Sequence, residues 1–272
     1  MKATAVNRFR SMLDADGSVY GLWVTLESPT ITEIAVALGL DWVVIDAEHG
    51  HLDWKEIAEH VRATVRSQTV ALVRIAERDT ALIKRALDIG ADGIVVPWVE
   101  TEEQLRQAIQ DCHYPPAGRR GIGGERATVW GQCLPQHVDE AGDVLVIPMI
   151  ESVAAIEAVP AMCRLDGVTT FFFGPADFSS SAGHAGQWEG PGVAQQILDV
   201  KQVIRSAGKH CGVMSTSIED LQRRREQRFQ MLGLGSDTGL LFRGLQDALR
   251  SVDRDRMPAT SLDLAESPAV EE

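Results

Sequence analysis

Short, near-continuous apolar runs alternate with stretches of helical spacing along most of this chain. Residues 20–26, 42–46, 70–75, 93–97, 144–150, 170–174, 210–214 and 230–234 are the apolar runs, rich in Val, Ile, Leu and Phe. Runs of that length bounded by turn residues predict strands of a parallel sheet covered on both faces. Helical periodicity occupies residues 31–38, 53–65, 80–89, 101–112, 193–206 and 217–228, with an opening helix over 4–14 and a closing one over 238–251. The punctuation agrees. Ser28-Pro29-Thr30 and Thr101-Glu102-Glu103-Gln104 are helix starts, and Gly39 and Gly90 are stops. About eight strand–helix units with no break predict an α/β fold, a (β/α)8 barrel, with a doubly wound open sheet as the fallback.

Two segments interrupt the rhythm. Residues 114 to about 141, rich in Gly, Pro and Arg, form a long loop, and long loops in compact domains are functional or packed against a partner. Residues 179–192 form a second, polar loop. From about 257 onward Pro, Ser, Ala and acids dominate, so residues 1–256 are expected to form one domain and 257–272 a disordered acidic tail.

Composition narrows the partners. The chain has 272 residues and a net charge of −13, which argues against nucleic acid and against an anionic membrane. An anionic small molecule stays permitted, because a local metal or arginine overrides the global field. Cys112, Cys133, Cys163 and Cys211 form no C-x-x-C pair and are expected to be reduced thiols of a cytoplasmic protein. The N-terminus lacks the apolar core of a signal peptide, and no run approaches the roughly 18 apolar residues of a membrane span.

Candidate chemistry gathers where strands end, which is where barrels build their sites. The run 147–150 stops at Glu151, and Phe171-Phe172-Phe173 runs into Gly174-Pro175-Ala176-Asp177. Two carboxylates on neighbouring strand exits make a seat for a divalent metal; alternatively each caps the helix that follows. The second strand exits into Asp46-Ala47-Glu48-His49-Gly50-His51. Asp46 and His49 are close enough for the carboxylate to orient the imidazole as a general base, or His49 is a plain surface residue. His51 is read as solvated, and Glu48 as either a metal neighbour or a structural partner. Arg74 ends an apolar strand, so its guanidinium must hold an internal carboxylate or face an anionic ligand. Lys2, Lys55, Lys84, Lys201 and Lys209 all fall away from strand exits, which leaves no lysine for a Schiff base and makes a metal the electron sink for any carbanion chemistry. Trp23, Trp98 and Trp130 line a cleft or belong to core and interface. Arg223-Arg224-Arg225 reads as a solvated helix face, and the glycines of Gly233-Leu234-Gly235-Ser236-Asp237 as a tight turn rather than a phosphate cradle.

Four blocks carry a resemblance: Gly21-Leu22-Trp23, Asp46-Ala47-Glu48-His49, Tyr114-Pro115-Pro116-Ala117-Gly118-Arg119-Arg120-Gly121 and Gly174-Pro175-Ala176-Asp177. In this order, within a likeness running from about Gly21 to Leu249, they resemble the HpcH/HpaI family of metal-dependent (class II) pyruvate aldolases of the phosphoenolpyruvate/pyruvate barrel superfamily. The resemblance implies Glu151 and Asp177 as ligands of Mg²⁺, Mn²⁺ or Co²⁺. It implies His49 with Asp46 as the proton-transfer pair and Arg74 beside the ketone oxygen. It implies the Ala176 and Asp177 amides as the grip on the ketoacid carboxylate; Trp23 and Met214 are the further residues expected to bind substrate. Asp88 matches an aspartate that relatives extend across a subunit boundary, and a hexamer, a trimer of dimers with exchanged C-terminal helices, is the implied assembly. The implied reaction is cleavage of a 4-hydroxy-2-ketoacid to pyruvate and an aldehyde through a metal-stabilised enolate. Departures fall at Met149 (often Gln in relatives), Ile75 (Pro), near Glu125 (where relatives carry a basic residue) and Met214 (Leu), around the second substrate. An acyl-CoA lyase of the same superfamily and a non-catalytic ligand-binding barrel are the competing expectations.

Overall fold

The computed structural model describes residues 2–254. Eight parallel strands pair in chain order and close, β8 returning to β1: β1 (Val19–Val24), β2 (Trp42–Asp46), β3 (Val70–Arg74), β4 (Gly93–Val96), β5 (Leu145–Ile150), β6 (Thr170–Phe173), β7 (His210–Met214) and β8 (Met231–Ser236). The helices are α1 (Ala3–Asp14), α2 (Thr30–Ala37), α3 (Trp54–Ala63), α4 (Thr80–Ile89), α5 (Glu102–Cys112), α6 (Leu134–Glu140), α7 (Val159–Met162), α8 (Pro175–Ser181), α9 (Val193–Ser206), α10 (Ile218–Glu226) and α11 (Asp237–Arg250). This is the (β/α)8 barrel that the strand–helix alternation predicts.

Each strand sends alternate residues to opposite faces. One parity of β2, β3 and β6, with Ile45, Ala71, Val73, Phe171 and Phe173, packs outward in the core shared with α3, α4, α5 and α9. The other parity, with Trp23, Trp42, Val44, Leu72, Ile147, Met149 and Phe172, fills the barrel. Small residues make room for large ones inside it: a Cβ on Gly21 would fall 2.0 Å from the Trp42 indole, so that glycine is obligatory. Phe9 and Leu13 of α1 join the same inner cluster. Lys2 and Leu13 bond to Asp92 and Gln230, which precede β4 and β8, so α1 closes the mouth where the strands begin.

Three departures have physical causes. The 114–141 segment is not a bare loop; it contains α6 and a 3-10 turn, and a second 3-10 turn over Ala141–Asp143 ends it, each too short for an apolar period to register. A 3-10 turn over Val153–Ala158 and α7 join β5 to β6, anchored by buried Ala155, Val159 and Met162. β1 stops at Val24 because the Asp237 carboxylate takes the N–H groups of Thr25 and Leu26, at 3.0 and 2.9 Å to Oδ2.

Contacts divide the chain into two compact units, 1–237 and 238–272. The barrel is in the first. Within the second, Leu241, Phe242, Leu245 and Leu249 of α11 are exposed. The expected acidic tail, 257–272, lies outside the described residues. Among the described residues no helix is long and apolar enough to cross a membrane.

Candidate active site at the strand ends

Parity decides which strand-exit residues meet. Asp46 continues the inward series Trp42–Val44, Arg74 the series Val70–Leu72, and Glu151 the series Ile147–Met149, so all three turn into the mouth where the strands end. The register sets Asp46 directly beside Arg74. Arg74 Nε and Nη2 donate to the two Asp46 oxygens at 2.9 and 2.6 Å, and Nη1 lies 2.9 Å from Glu48 Oε2. That last contact is an ion pair without hydrogen-bond alignment. The guanidinium also stacks 5.0 Å from the Trp23 ring. Burial alone would raise the Asp46 pKa, but the bonds from Arg74 outweigh it and hold the carboxyl below its ordinary value. Arg74 is buried too, and Asp46 and then Glu48 hold its charge.

Asp46 has little capacity left. Trp23 Nε1 donates to Oδ2 at 3.0 Å, and the backbone N–H groups of Glu48 and His49 donate to Oδ1 at 3.0 and 3.2 Å. In this structure the Asp46 carboxylate holds the backbone of His49 and not its imidazole. The ring itself is 66% exposed and sits 4.0 Å from Glu48 Oε1.

Glu151 is the opposite case. It is 1% exposed, and its Oε1 accepts the Trp98 N–H at 2.5 Å while Oε2 has no partner. Burial, reinforced by Glu48 and Asp177 against the Trp98 bond and Arg74, pushes its pKa up to about 7. Gly174 makes this geometry possible, since a Cβ there would fall 2.7 Å from Glu151 Oε2. Asp177 lies in the first turn of α8, close enough for its charge to bear on both Glu48 and Glu151. The N–H groups of Ala176 and Asp177 lie in that same turn, where helices have no acceptors of their own. An orphaned, buried carboxylate oxygen with a second carboxylate nearby fits a hard divalent cation. Among the described residues no group of three or more His, Cys, Asp and Glu forms a ready cage. The two carboxylates would thus leave most positions of such an ion to oxygens of substrate and water.

The remaining candidates are spread. Trp23 is nearly buried against Phe172, with ring centroids 5.4 Å apart. Met214, at the end of β7, is half-buried with its sulfur over Gly233. Asp88 is on α4, ion-paired with Arg120 at 2.8 Å. It lines a cleft of about 510 Å³ with Lys84, Arg85, Arg126 and Trp130, and no residue of the strand-end cluster lines it. Sequence reasoning missed three contributors: the Trp98 amide, the space at Gly174 and the Trp23 indole N–H. Only the last had a signal, because Trp23 shares the inward parity.

Residues 19–243 match the family model described as HpcH/HpaI aldolase/citrate lyase. A hydroxypyruvate/pyruvate aldolase of Pseudomonas aeruginosa is 36% identical over 247 residues, which is 89% of this chain and 91% of that protein. A 4-hydroxy-2-oxovalerate aldolase of Rhodococcus jostii is 34% identical over 87% of this chain and 92% of its own. Among solved structures, an HpcH/HpaI aldolase/citrate lyase family protein from Burkholderia cenocepacia superposes with a TM-score of 0.86 at 30% identity. It covers 91% of this chain and 99% of its own.

Proposed function

The chain belongs to the HpcH/HpaI aldolase/citrate lyase family, and from that premise we propose that it is an aldolase, a carbon–carbon lyase. It reversibly cleaves a 4-hydroxy-2-ketoacid to pyruvate, or a related 2-ketoacid, and an aldehyde. The observation that carries this reading is the Glu151 carboxylate, buried and half unpartnered beside Arg74 and Asp177. A buried charge left in that state is costly unless a ligand completes it.

Glu151 and Asp177 would hold a divalent cation, Mg²⁺, Mn²⁺ or Co²⁺. When bound, it supplies Lewis-acid stabilisation of negative charge on a keto oxygen. The rest falls to this chain's own residues. Arg74, held charged by Asp46 and Glu48, faces the charge that builds on the same oxygen as the C3–C4 bond breaks. The Ala176 and Asp177 amides bind the ketoacid carboxylate and fix its orientation. His49, exposed at the rim, moves the proton of the C4 hydroxyl. Trp23 stiffens Asp46, and Met214 borders the aldehyde side.

In the working assembly, Asp88 of a neighbouring subunit would approach His49, and the exposed apolar face of α11 would be covered by exchange in a hexamer. The unit is taken as residues 1–256 with the acidic tail outside it. The free cysteines, Cys133 exposed among them, suit a reducing cytoplasm.

The test is deuterium exchange into pyruvate C3, followed by NMR with Mn²⁺ present, beside an aldehyde screen with pyruvate and hydroxypyruvate. Exchange that needs the cation and disappears in Glu151→Gln supports the reading. Full exchange in excess chelator, or none in the wild-type protein, would overturn it.

A further inference from the structure

The residue that holds Glu151 has a backbone that tryptophan adopts only at a cost. Trp98, just past β4, has φ of +50°, in the left-handed region where a bulky side chain is an outlier. Such strain persists only where the surroundings over-determine it, and it clusters at functional sites. Two interactions constrain this one. The N–H of the Pro97–Trp98 peptide group donates to Glu151 Oε1 at 2.5 Å. The carbonyl of that same peptide group accepts from Arg78 Nη1 at 3.4 Å, and the Trp98 carbonyl accepts from the same nitrogen. One guanidinium nitrogen thus grips the peptide groups on both sides of the strained Cα. Arg78 lies in the exposed turn between β3 and α4, and it lines a cleft of about 460 Å³ together with Trp98.

A tryptophan free to relax would leave the left-handed region, and its N–H would swing away from the carboxylate. The bonds from Arg78 come from a charged donor, the stronger kind of hydrogen bond. We propose that Arg78 is a positioning residue for the cation site: by clamping both peptide groups around Trp98 it keeps that residue left-handed. The Trp98 N–H then stays on Glu151 Oε1, and Oε2 stays free for the cation. This inference rests on the reading of Glu151 and Asp177 as the cation ligands. It assigns a metal-site role to a surface arginine that touches neither carboxylate.

The experiment titrates the metal-free, full-length protein with Mn²⁺ and follows free Mn²⁺ by EPR, so the readout is affinity and not turnover. Arg78→Ala should weaken Mn²⁺ binding about tenfold, at the low end for loss of an outer-shell partner. Trp98→Gly alone should stay within about twofold of wild type, because glycine takes this φ without a clamp and keeps the N–H. The double variant R78A/W98G should recover to within about threefold, since a glycine makes the clamp redundant and the two changes are coupled. Wild-type affinity in Arg78→Ala, or a double variant as weak as Arg78→Ala, overturns the clamp. Glu151→Gln separates this from the parent reading. If it binds Mn²⁺ as tightly as wild type, the cation site itself is misplaced; if it loses Mn²⁺ while Arg78→Ala does not, only the clamp falls.

Discussion

At the mouth where the strands begin, the buried groups Asp92, His210 and Gln230 are mutually satisfied, with only the neutral Thr170 hydroxyl and Arg10 Nε left over among the described residues. Buried Asp92 accepts from the Lys2 N–H at 2.6 Å and the Ala71 N–H at 2.9 Å, with Lys2 Nζ 3.3 Å from its second oxygen. His210 lies 2.9 Å from Asp14 and 3.0 Å from Gln230, and Gln230 donates to the Leu13 carbonyl at 2.9 Å. At the mouth where the strands end, the same barrel leaves Glu151 Oε2 without a partner, Glu48 half engaged and Trp98 strained. Closed networks specify a fold; an open one awaits a ligand. The comparison makes a sharp claim, because substitutions of the same kind at the two mouths should move stability and activity in different proportions.

Arg74→Ala should have the largest effect, because Arg74 both completes a buried ion pair and faces the open site. It removes the partner of buried Asp46, and breaking a buried ion pair costs about 3–5 kcal/mol. Denaturant melts should show that loss, and pyruvate proton exchange should fall close to background. A mild loss of exchange with a full loss of stability would make Arg74 structural only. Next comes Glu151→Gln. It should abolish Mn²⁺-dependent exchange, yet leave the melting temperature of the metal-free protein unchanged or higher, because the carboxylate it replaces is uncompensated. Asp92→Asn, at the other mouth, should do the reverse. The loss is about 1–3 kcal/mol, typical of a buried donor left unpaired, with kcat/KM within about twofold of wild type. Equal behaviour of Glu151→Gln and Asp92→Asn would erase the distinction between the mouths.

How much of this was legible in the sequence follows the same divide. Strand identity and inward parity are local, so the apolar runs located Asp46, Arg74, Glu151 and Asp177 at strand exits. Register is not local. The spacing of three between Asp46 and His49 suggested an imidazole contact, but β2–β3 pairing sets Arg74 opposite Asp46 and saturates it. Trp98 was a cleft candidate, but its left-handed backbone was invisible for another reason: tryptophan is a poor choice for such a position, so its residue type points away from the conformation it has. Helices α6, α7 and α8 were missed or half-seen because seven residues or fewer span at most two turns, too little for an amphipathic period.

The smallest expected effect concerns pH, and it tests whether stability is governed away from the open mouth. His60 on α3 is fully buried, with Thr32 Oγ1 2.7 Å from Nδ1 and the Leu26 carbonyl 3.1 Å from Nε2. A neutral ring with its proton on Nε2 satisfies both, donating to Leu26 and accepting from Thr32. Burial, only partly opposed by the backbone bond to Leu26 and the charge of Asp237, lowers its pKa below 6.5. The unfolded chain then binds a proton that the folded one refuses, between the lowered folded pKa and the unfolded value near 6.5. Stability from this group is complete above that unfolded value and declines as the pH falls below it, levelling only below the folded pKa. Thermal melts of wild type from pH 8 to pH 5 should show this acid limb. His60→Gln, which cannot take up the proton, should flatten it while leaving Mn²⁺-dependent exchange at pH 8 within about twofold of wild type. An acid limb unchanged in His60→Gln would assign it to other groups, with the carboxylates of the open mouth the first to examine.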